Sequence, residues 1–338
     1  MKSTPLIALI LFALTSQIDA YGQSKFRVNN TGVSTDFSEL DAAVAGSSDT
    51  DVLIVEHSDT KYAASATEIN KELIIYGTGY YLEDNDSTQA DIRTSSVGTI
   101  NITTNNVLLS GITADTIKIN ADNVIVERCL ILEQLVLADE VTAIDAPIIR
   151  QNFIEGSADV LVEVNKTTNL VFSNNFVNNT NAAGTYNLNM LPSSTGVILN
   201  NLFFGEPDNL FRNSAVANNY FERSEIDPTS SNIVVKSNYA EGTFLSGYQG
   251  VSFTNSFAPD TMFRPPSGSR DVRYELKPLV SPGLNAGNDG KDIGIFGGSY
   301  PYVPSGMPPI PSIWFYNGSS SATENGTLDV EIKAKSHK

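Results

Sequence analysis

A short phrase recurs along the middle of this chain: a few β-branched or apolar residues, a small polar residue, then an aromatic residue or leucine. The eight copies are Asn106–Ile112, Asn123–Leu130, Pro147–Phe153, Asn169–Phe176, Gly196–Leu202, Ala215–Phe221, Asn232–Tyr239 and Gly250–Phe257. Their small residues, which recur every 18 to 26 residues, are Gly111, Cys129, Asn152, Asn175, Asn201, Asn219, Asn238 and Ser256. A unit of this length that holds one or two short strands is typical of a solenoid.

The strands are short and are separated by Asn, Asp, Gly and Ser, as turns require. No run of helical periodicity follows residue 46, which argues against alternating strands and helices. The sequence therefore predicts an all-β fold, a right-handed parallel β-helix whose neighbouring coils lie about 4.8 Å apart.

Equivalent residues of neighbouring coils stack in such a fold. We therefore expect the amides of one column to form a structural ladder: Asn152, Asn175, Asn201, Asn219 and Asn238. We expect a second column, of apolar and aromatic residues, to stack beside it inside the coil: Phe153, Phe176, Leu202, Tyr220, Tyr239 and Phe257. Cys129 occupies one slot of the first column and is expected to be a small buried residue rather than a reactive thiol.

The predicted organisation has four parts. Residues 1–20, with Lys2 and an apolar run of about ten residues, have the pattern of a signal peptide. Residues 25–50 are predicted to form a first strand and a capping helix over 34–45, which would close one end of the solenoid. The β-helix follows over 51–298, and 299–338 is a Pro-rich link with two pairing strands, at 312–316 and 327–334.

Charge and hydropathy limit the partners. The 338 residues carry 38 Asp and Glu against 21 Lys and Arg, a net charge of −17, which disfavours nucleic acid. The same charge disfavours acidic polysaccharides unless a cation bridges them or a local basic patch exists. No later stretch is apolar enough to span a membrane. We expect a secreted or cell-surface protein, whose oligomeric state the sequence leaves open.

Three segments carry a resemblance to a known family. They are Ile69–Tyr80, the repeated phrase itself, and Ser281–Gly287 together with Asp292–Gly298, which resembles a closing coil. The chain resembles secreted right-handed parallel β-helix proteins of the pectate-lyase-like superfamily, in particular a group from Bacteroidetes-type bacteria. The resemblance implies the fold and a polysaccharide or cell-surface glycan as partner, and it carries over no catalytic motif, because this fold hosts many functions.

The sequence contains few candidates for catalytic or metal-binding residues. There are two histidines, His57 and His337, too few for a His-based zinc site. The candidate catalytic residues are the charged residues on the repeats: Glu127, Arg128, Arg150, Glu163 and Lys166. The candidate calcium ligands, relevant only if the protein is a lyase, lie in one acidic loop: Glu83, Asp84 and Asp86. No other cofactor is expected.

Two functional hypotheses follow. The first, which the missing catalytic constellation favours, is a non-catalytic secreted or surface protein with a structural or glycan-contacting role. The second is a polysaccharide lyase or glycoside hydrolase that uses carboxylates on one face of the solenoid. Two acids with a Lys or Arg in one groove would favour the enzyme, and a uniform face of Ser, Thr and Asn would favour the first hypothesis.

Overall fold

The computed structural model describes residues 23–62, 66–139, 143–181, 184–241, 258–265, 268–318 and 329–337. The predicted signal peptide and the eighth copy of the repeated phrase, Gly250–Phe257 with Ser256 and Phe257, lie outside the described residues. Among the described residues, no helix is long and apolar enough to cross a bilayer.

The described residues form many short strands and little helix. The helices are α1 (Leu40–Gly46), α2 (Pro259–Met262) and a 3-10 turn at Pro304–Gly306. The strands are β1 (Lys25–Val28), β2 (Val52–Val55), β3 (Thr67–Ile69), β4 (Ile74–Tyr76), β5 (Ser96–Ile102), β6 (Leu108–Ser110), β7 (Thr113–Ile119), β8 (Ile125–Glu127), β9 (Leu130–Leu137), β10 (Ile144–Asp145), β11 (Ile148–Arg150), β12 (Phe153–Gly156), β13 (Val160–Val164), β14 (Thr167–Thr168), β15 (Leu170–Ser173), β16 (Phe176–Asn179), β17 (Tyr186–Met190), β18 (Gly196–Leu199), β19 (Leu202–Phe204), β20 (Asp208–Leu210), β21 (Ser214–Ala217), β22 (Tyr220–Glu222), β23 (Val234–Lys236), β24 (Tyr239–Ala240), β25 (Pro311–Gly318) and β26 (Val330–Ser336).

Two long sheets run the length of the solenoid, and all their pairings are parallel. The first sheet has the order β1-β2-β4-β6-β8-β11-β15-β18-β21-β23. The second sheet begins with β3, β5, β7 and β9. After β9 it continues as two branches, β12-β16-β19-β22-β24 and β13-β17-β20. Each coil adds a strand to both sheets, so the prediction of a right-handed parallel β-helix is confirmed.

A turn residue with positive φ separates the two sheets in each coil. It precedes the ladder residue, with φ between 50° and 74°, at Gly111, Arg128, Gln151, Asn174, Asn200, Asn218 and Ser237. Asn tolerates this left-handed conformation better than most residues, which explains the doublets such as Asn174-Asn175. Gly111 therefore takes the turn position and not the ladder slot predicted for it, since Ser110 pairs with Glu127 and Ile112 aligns with Cys129.

The ladder column lies inside the coil, and its amides hydrogen-bond to one another and to the backbone. The side-chain amide of Asn152 donates to Oδ1 of Asn175 at 3.0 Å, and Asn175 donates to Asn201 at 3.1 Å. The same bond continues from Asn201 to Asn219 and from Asn219 to Asn238. Each Oδ1 also accepts the backbone N–H of the preceding ladder residue, and each Nδ2 also donates to a strand carbonyl, Ile149 in the case of Asn175. These five amides have no solvent exposure.

The aromatic column lies outside the coil, which corrects the sequence prediction. Side chains alternate along a strand, so Asn152 and Ile154 face the interior while Phe153 faces outward. The outward column forms a second apolar cluster: Leu130, Phe153, Phe176, Leu202, Tyr220 and Tyr239. All six are buried because the C-terminal part of the chain covers them, through Met262, Phe263, Ile293, Ile295 and Tyr302.

The covering chain has two parts, which we call the arm (258–277) and the strap (287–310). The strap runs back along the solenoid over the outward turn residues. Asn218 donates to Asn288, Asn174 to the carbonyls of Ile295 and Gly297, Gln151 to that of Pro301, and Arg128 to that of Met307. The predicted closing coil at 281–298 contains no strand and lies on this outer face instead.

The N-terminal end differs in part from the prediction, and the predicted pair of C-terminal strands is confirmed. Helix α1 is shorter than predicted, because Phe37 bridges to Val28 and its backbone N–H donates to Arg27, which extends residues 36–37 along the sheet edge. Strands β25 and β26 pair antiparallel as a hairpin. All residues of β26 are exposed.

Candidate functional site

The candidate site is a groove between the outer face of the second sheet and the arm. Its floor is formed by Phe204 and Glu222, which belong to the outward column three residues after the ladder. The whole column is Glu155, Asn178, Phe204, Glu222 and Glu241. Glu155 pairs in register with Asn178, Asn178 with Phe204, and Phe204 with Glu222. Glu241 follows Ala240, the partner of Phe221. Polar side chains of successive coils are thus brought into one row.

The arm forms the opposite wall. Together they enclose a cavity of about 460 Å³, which we call the arm groove. Its lining residues are Phe204, Glu222, Pro259, Asp260, Phe263, Arg264, Pro265, Arg273, Tyr274 and Lys277. Phe204 also lines a second hollow of about 430 Å³ with Asn178, Asn179, Thr180, Asn181, Gly205, Glu206 and Arg223. The two hollows share the Phe204 ring, so a ligand longer than one hollow would pass over it.

Glu222 is the unusual group in the floor. Its Oε2 atom is buried and has no hydrogen-bond partner among the described residues. Burial raises the pKa of Glu222 to about 7, and the charge of Glu241 on the next coil adds to this, against the opposing effect of Arg223. A carboxyl with this pKa exchanges a proton near neutral pH, which is the property required of a general acid or base.

Three cations line the arm groove and a fourth, Arg223, lines the neighbouring hollow, in a protein that is strongly acidic overall. Arg264 pairs with Glu275 at 2.8 Å, and Lys277 donates to the Asp260 carbonyl. Arg223 lies over the Phe204 ring, 5.1 Å from its centroid. Within the described part of the chain, Arg223 and Arg273 have no ion-pair partner. The two hollows therefore hold two arginines without an ion-pair partner among the described residues, although Asp260 also lines the groove, and such arginines can pair with an anionic polymer.

Aromatic rings complete the lining. Tyr274 lies 6.1 Å from Phe204, 5.3 Å from Phe176 and 5.4 Å from Phe263, measured between ring centroids. Burial raises the pKa of Tyr274, with the negative charge of Glu222 adding to the shift, so the phenol remains protonated at neutral pH. Rings with polar tips provide both apolar contact area and a hydrogen-bond donor.

Two sets of interactions hold the arm in place, one with the sheet and one with the strap and the loop at 81–88. Arg270 pairs through both terminal nitrogens with Glu155, which also accepts a hydrogen bond from Asn178. Behind it, the buried carboxylate of Asp271 accepts hydrogen bonds from Ser269, from the Asn85 amide at 3.0 Å and from the Ser305 backbone N–H at 2.5 Å. The carboxylate thus joins the arm, the strap and the loop at 81–88.

Three of the predicted catalytic residues lie near one another, but not in the arm groove. Glu127 is buried and pairs with Arg150 at 2.6 Å, and the Tyr300 ring stacks on the Arg150 guanidinium. Arg128 instead donates to the strap carbonyl of Met307 and to Gln151, and burial lowers its pKa. These contacts are the kind that fix the strap in place.

The other predicted residues lie apart. Glu163 accepts a hydrogen bond from Asn165, and Lys166 is exposed in a turn. Glu83, Asp84 and Asp86 are exposed side chains of one loop. Across the described residues, no group of three or more His, Cys, Asp or Glu is placed to hold a metal ion. His57 pairs with Asp91 at 3.0 Å, and His337 contacts Ser312.

Sequence reasoning missed the groove residues, although two signals were present. Counting three residues past each ladder position leads to Glu155, Asn178, Phe204, Glu222 and Glu241. Four cations also fall within fourteen residues of an acidic chain, at Arg264, Arg270, Arg273 and Lys277. Neither signal shows that the arm folds back onto the row, and this contact is what creates the site.

Comparison with known proteins adds little. No protein-family model matches the sequence, and no curated protein matches it. Among solved structures, a mutant of AlyGC, a PL6 family alginate lyase, matches 77% of this chain at 11% sequence identity with a TM-score of 0.28. This chain spans 58% of the length of that lyase. Similarity at this level carries no argument about function, so the site has to be interpreted from its own chemistry.

Proposed function

We propose that the arm groove binds an acidic polysaccharide and that Glu222 exchanges a proton with the bound sugar, as in a polysaccharide lyase or a glycoside hydrolase. The observation that carries the proposal is the buried, unpartnered carboxyl oxygen of Glu222 in a groove lined by cations. Leaving such an oxygen without a partner costs about 1–3 kcal/mol, and among the described residues Glu222 has the only carboxyl oxygen in this state. We therefore prefer the catalytic hypothesis to the non-catalytic one.

The charges support an acidic substrate. Arg223 and Arg273 are free to pair with carboxylates, and Arg264 and Lys277 add positive potential on the arm side. Arginine binds carboxylates through two parallel hydrogen bonds, which fixes their orientation. A protonated Glu222 adds no negative charge to repel the ligand. Phe204 and Tyr274 offer flat surfaces to the apolar faces of sugar rings.

Two reactions suit this set of groups. In an elimination, the arginines neutralise a uronate carboxylate and ionised Glu222 removes the proton at C5 of the uronate. The C4–O bond then breaks as a C4–C5 double bond forms, and Glu222 returns the proton to the departing oxygen. In a hydrolysis, protonated Glu222 donates its proton to the departing oxygen as the glycosidic bond breaks, and Glu241, on the adjacent coil, activates the water that attacks the sugar. Two carboxyl groups whose environments differ are the usual basis for dividing acid and base roles.

We also propose membership of the pectate-lyase-like superfamily and secretion of the protein. The first is supported by the β-helix fold and by the three sequence segments that resemble that superfamily. The second is supported by the apolar N-terminal sequence. Calcium is proposed only for an elimination, as a bridge between the substrate and acidic side chains.

The test is a panel of acidic and neutral polysaccharides, with and without calcium, assayed for new reducing ends and for the ultraviolet absorbance of unsaturated products. We expect cleavage of an acidic polymer. Glu222→Gln is expected to lower kcat at least about 100-fold, the usual contribution of general acid–base catalysis. Arg273→Ala is expected to raise KM about tenfold with a smaller change in kcat.

Matched controls are available on the solenoid. Glu163→Gln and Lys166→Ala change the same types of charge away from the groove and are expected to leave the rates unchanged. If the folded protein binds an acidic polymer but cleaves none, the groove is a glycan-binding site without catalysis. If it neither binds nor cleaves any member of the panel, or if Glu222→Gln retains full activity, the proposal is wrong.

A further inference from the structure

The terminal hairpin has one open edge. Strand β25 contacts the body of the protein, since its Ile313 carbonyl accepts the backbone N–H of Ala90. Strand β26 pairs with β25 alone among the described residues, and every residue of β26 is exposed. An exposed, regular edge strand has unpaired backbone groups that pair readily with another strand. The pairing register of β25 and β26 shifts once, between Ile313 and Phe315, so the irregularity lies in β25.

The sequence of β26 and the residue before it is self-complementary. Residues 329–335 read Asp-Val-Glu-Ile-Lys-Ala-Lys. Side chains alternate, so one face has two negative charges followed by two positive charges, and the other has Val330, Ile332 and Ala334. Read in the opposite direction, the same face has two positive charges followed by two negative charges, which is the opposite sign at every position. An antiparallel copy of the same strand therefore meets opposite charges.

We propose that two copies of this protein associate by antiparallel pairing of their β26 strands in a register centred on Ile332. In this register Glu331 faces the partner's Lys333, and Asp329 faces the partner's Lys335. The two-fold axis repeats both pairs, so four ion pairs form and no like charges meet. The two hairpins become one four-stranded antiparallel sheet, a form of strand addition.

Neighbouring registers that keep the side chains on the same faces are less favourable. Centring the pair on Lys333 brings two lysines directly opposite, although Glu331 and Lys335 still match. Centring it on Glu331 places the two glutamates opposite each other. Like charges directly opposite across strands are destabilising and opposite charges are stabilising, so the Ile332 register is selected. The strand lysines also disfavour pairing with unrelated basic or neutral edges.

The apolar face supports the same pairing. Ile332 lies opposite Ile332 of the copy, and Val330 lies opposite Ala334. Within each hairpin, Ile332 pairs with Tyr316 and Ala334 with Ile313, and these residues are exposed, Tyr316 at 60% and Ile332 at 55%. Pairing thus joins two exposed apolar strips into one. Because a single strand edge buries less than the ~1,200 Å² of a stable interface, we expect a weak, concentration-dependent dimer.

Cysteine cross-linking of the full chain tests the register. Ile332→Cys places two thiols directly opposite each other, and mild oxidation is expected to give a disulfide-linked dimer in high yield. Ala334→Cys is the matched control, because its thiol faces the partner's Val330 and has no thiol opposite. The native Cys129 does not compete, since it is fully buried and burial raises its pKa to about 12. Equal yields from the two variants would overturn the proposal.

Charge exchange tests the pairing without a covalent bond. By sedimentation across a concentration series, Glu331→Lys is expected to weaken the wild-type dimer at least about tenfold, because both central ion pairs become lysine pairs. The double variant Glu331→Lys/Lys333→Glu restores opposite charges and is expected to restore association. Slow hydrogen exchange of the β25 and β26 amides reports that each hairpin is intact, because replacing Lys333, 5.6 Å from the Trp314 ring, would itself change tryptophan fluorescence. A monomeric wild-type protein at every concentration, or no rescue by the double variant, would refute the pairing.

Discussion

The two sides of the second sheet are both buried, but in different ways. On the inner side, each ladder amide bonds to the same residue of the next coil, and the apolar side chains stack on their own equivalents. On the outer side, the covering chain is not repetitive. There the outward turn residues bond to strap carbonyls, and the arm packs its own aromatic rings on the column.

The difference explains where the candidate site lies. Along the amide ladder every side-chain amide has a partner, because each coil supplies the acceptor that its neighbour needs. The outer side depends on a segment with no repeat, and its fit is incomplete at Glu222 and around Arg273. Function on a solenoid is therefore expected where the repeat meets a segment that does not repeat.

The largest predicted effect is the loss of an inner amide. Asn175→Ala removes the acceptor of the Asn152 backbone N–H and the donor to the Ile149 carbonyl, and both groups are buried. We expect the free energy of unfolding to fall by about 3–5 kcal/mol, since each buried orphan group costs about 1–3 kcal/mol. Chemical denaturation measures this.

The adjacent outer amide is the matched comparison. Asn174→Gly retains the positive φ of the turn and removes two bonds to the strap, from a site that water reaches more easily once the strap moves. We expect a loss of about 1 kcal/mol. Equal losses for the two neighbours would contradict the distinction between an inner and an outer side.

An intermediate effect is expected at Asp271, which holds the arm, the strap and the loop at 81–88 together. Asp271→Ala leaves the Ser305 backbone N–H and the Asn85 amide without this acceptor, so we expect a loss of about 2–3 kcal/mol. Hydrogen exchange should increase in the arm and strap and remain slow in the ladder strands. A uniform increase across the solenoid would show that the outer layer does not unfold separately.

The sequence predicted what repeats. The spacing of the Asn residues and the alternation of the strands led to the parallel β-helix, because stacking makes equivalent residues neighbours at any position along the solenoid. The same reasoning placed Phe153 and its equivalents inside, since an apolar column beside a buried ladder has no other evident place to go. Alternation along the strand turns these rings outward, and only the covering chain buries them.

The site could not be predicted from the repeat. Glu222 lies in the row three residues after the ladder, where Glu155, Asn178 and Phe204 occupy equivalent positions, and nothing in the row distinguishes it. Its unusual pKa follows from burial under the arm, a contact between segments about 50 residues apart. Glu127 and Arg150, in contrast, are recognisable as charged residues on adjacent coils, but they pair with each other beneath Tyr300.

The effect of Glu222 on stability is expected to be small and to depend on pH. The folded state holds the Glu222 proton up to a pKa of about 7, whereas the unfolded chain releases it near the ordinary value of 4.5. Folding therefore becomes less favourable as pH rises between these values, and the full cost is present above about pH 7. Glu222→Gln stays uncharged and should leave stability nearly unchanged at pH 4.5 but raise it by about 1–2 kcal/mol at pH 8. The pKa shift itself sets a ceiling of about 3 kcal/mol on this stability difference, and partial solvent access reduces it.

Urea denaturation at both pH values measures the stability difference between Glu222→Gln and the wild type, with the exposed Glu206→Gln as control. The same gain at pH 4.5 and pH 8 would show that Glu222 is charged at both, and the groove would then lack the neutral carboxyl on which its proposed chemistry depends.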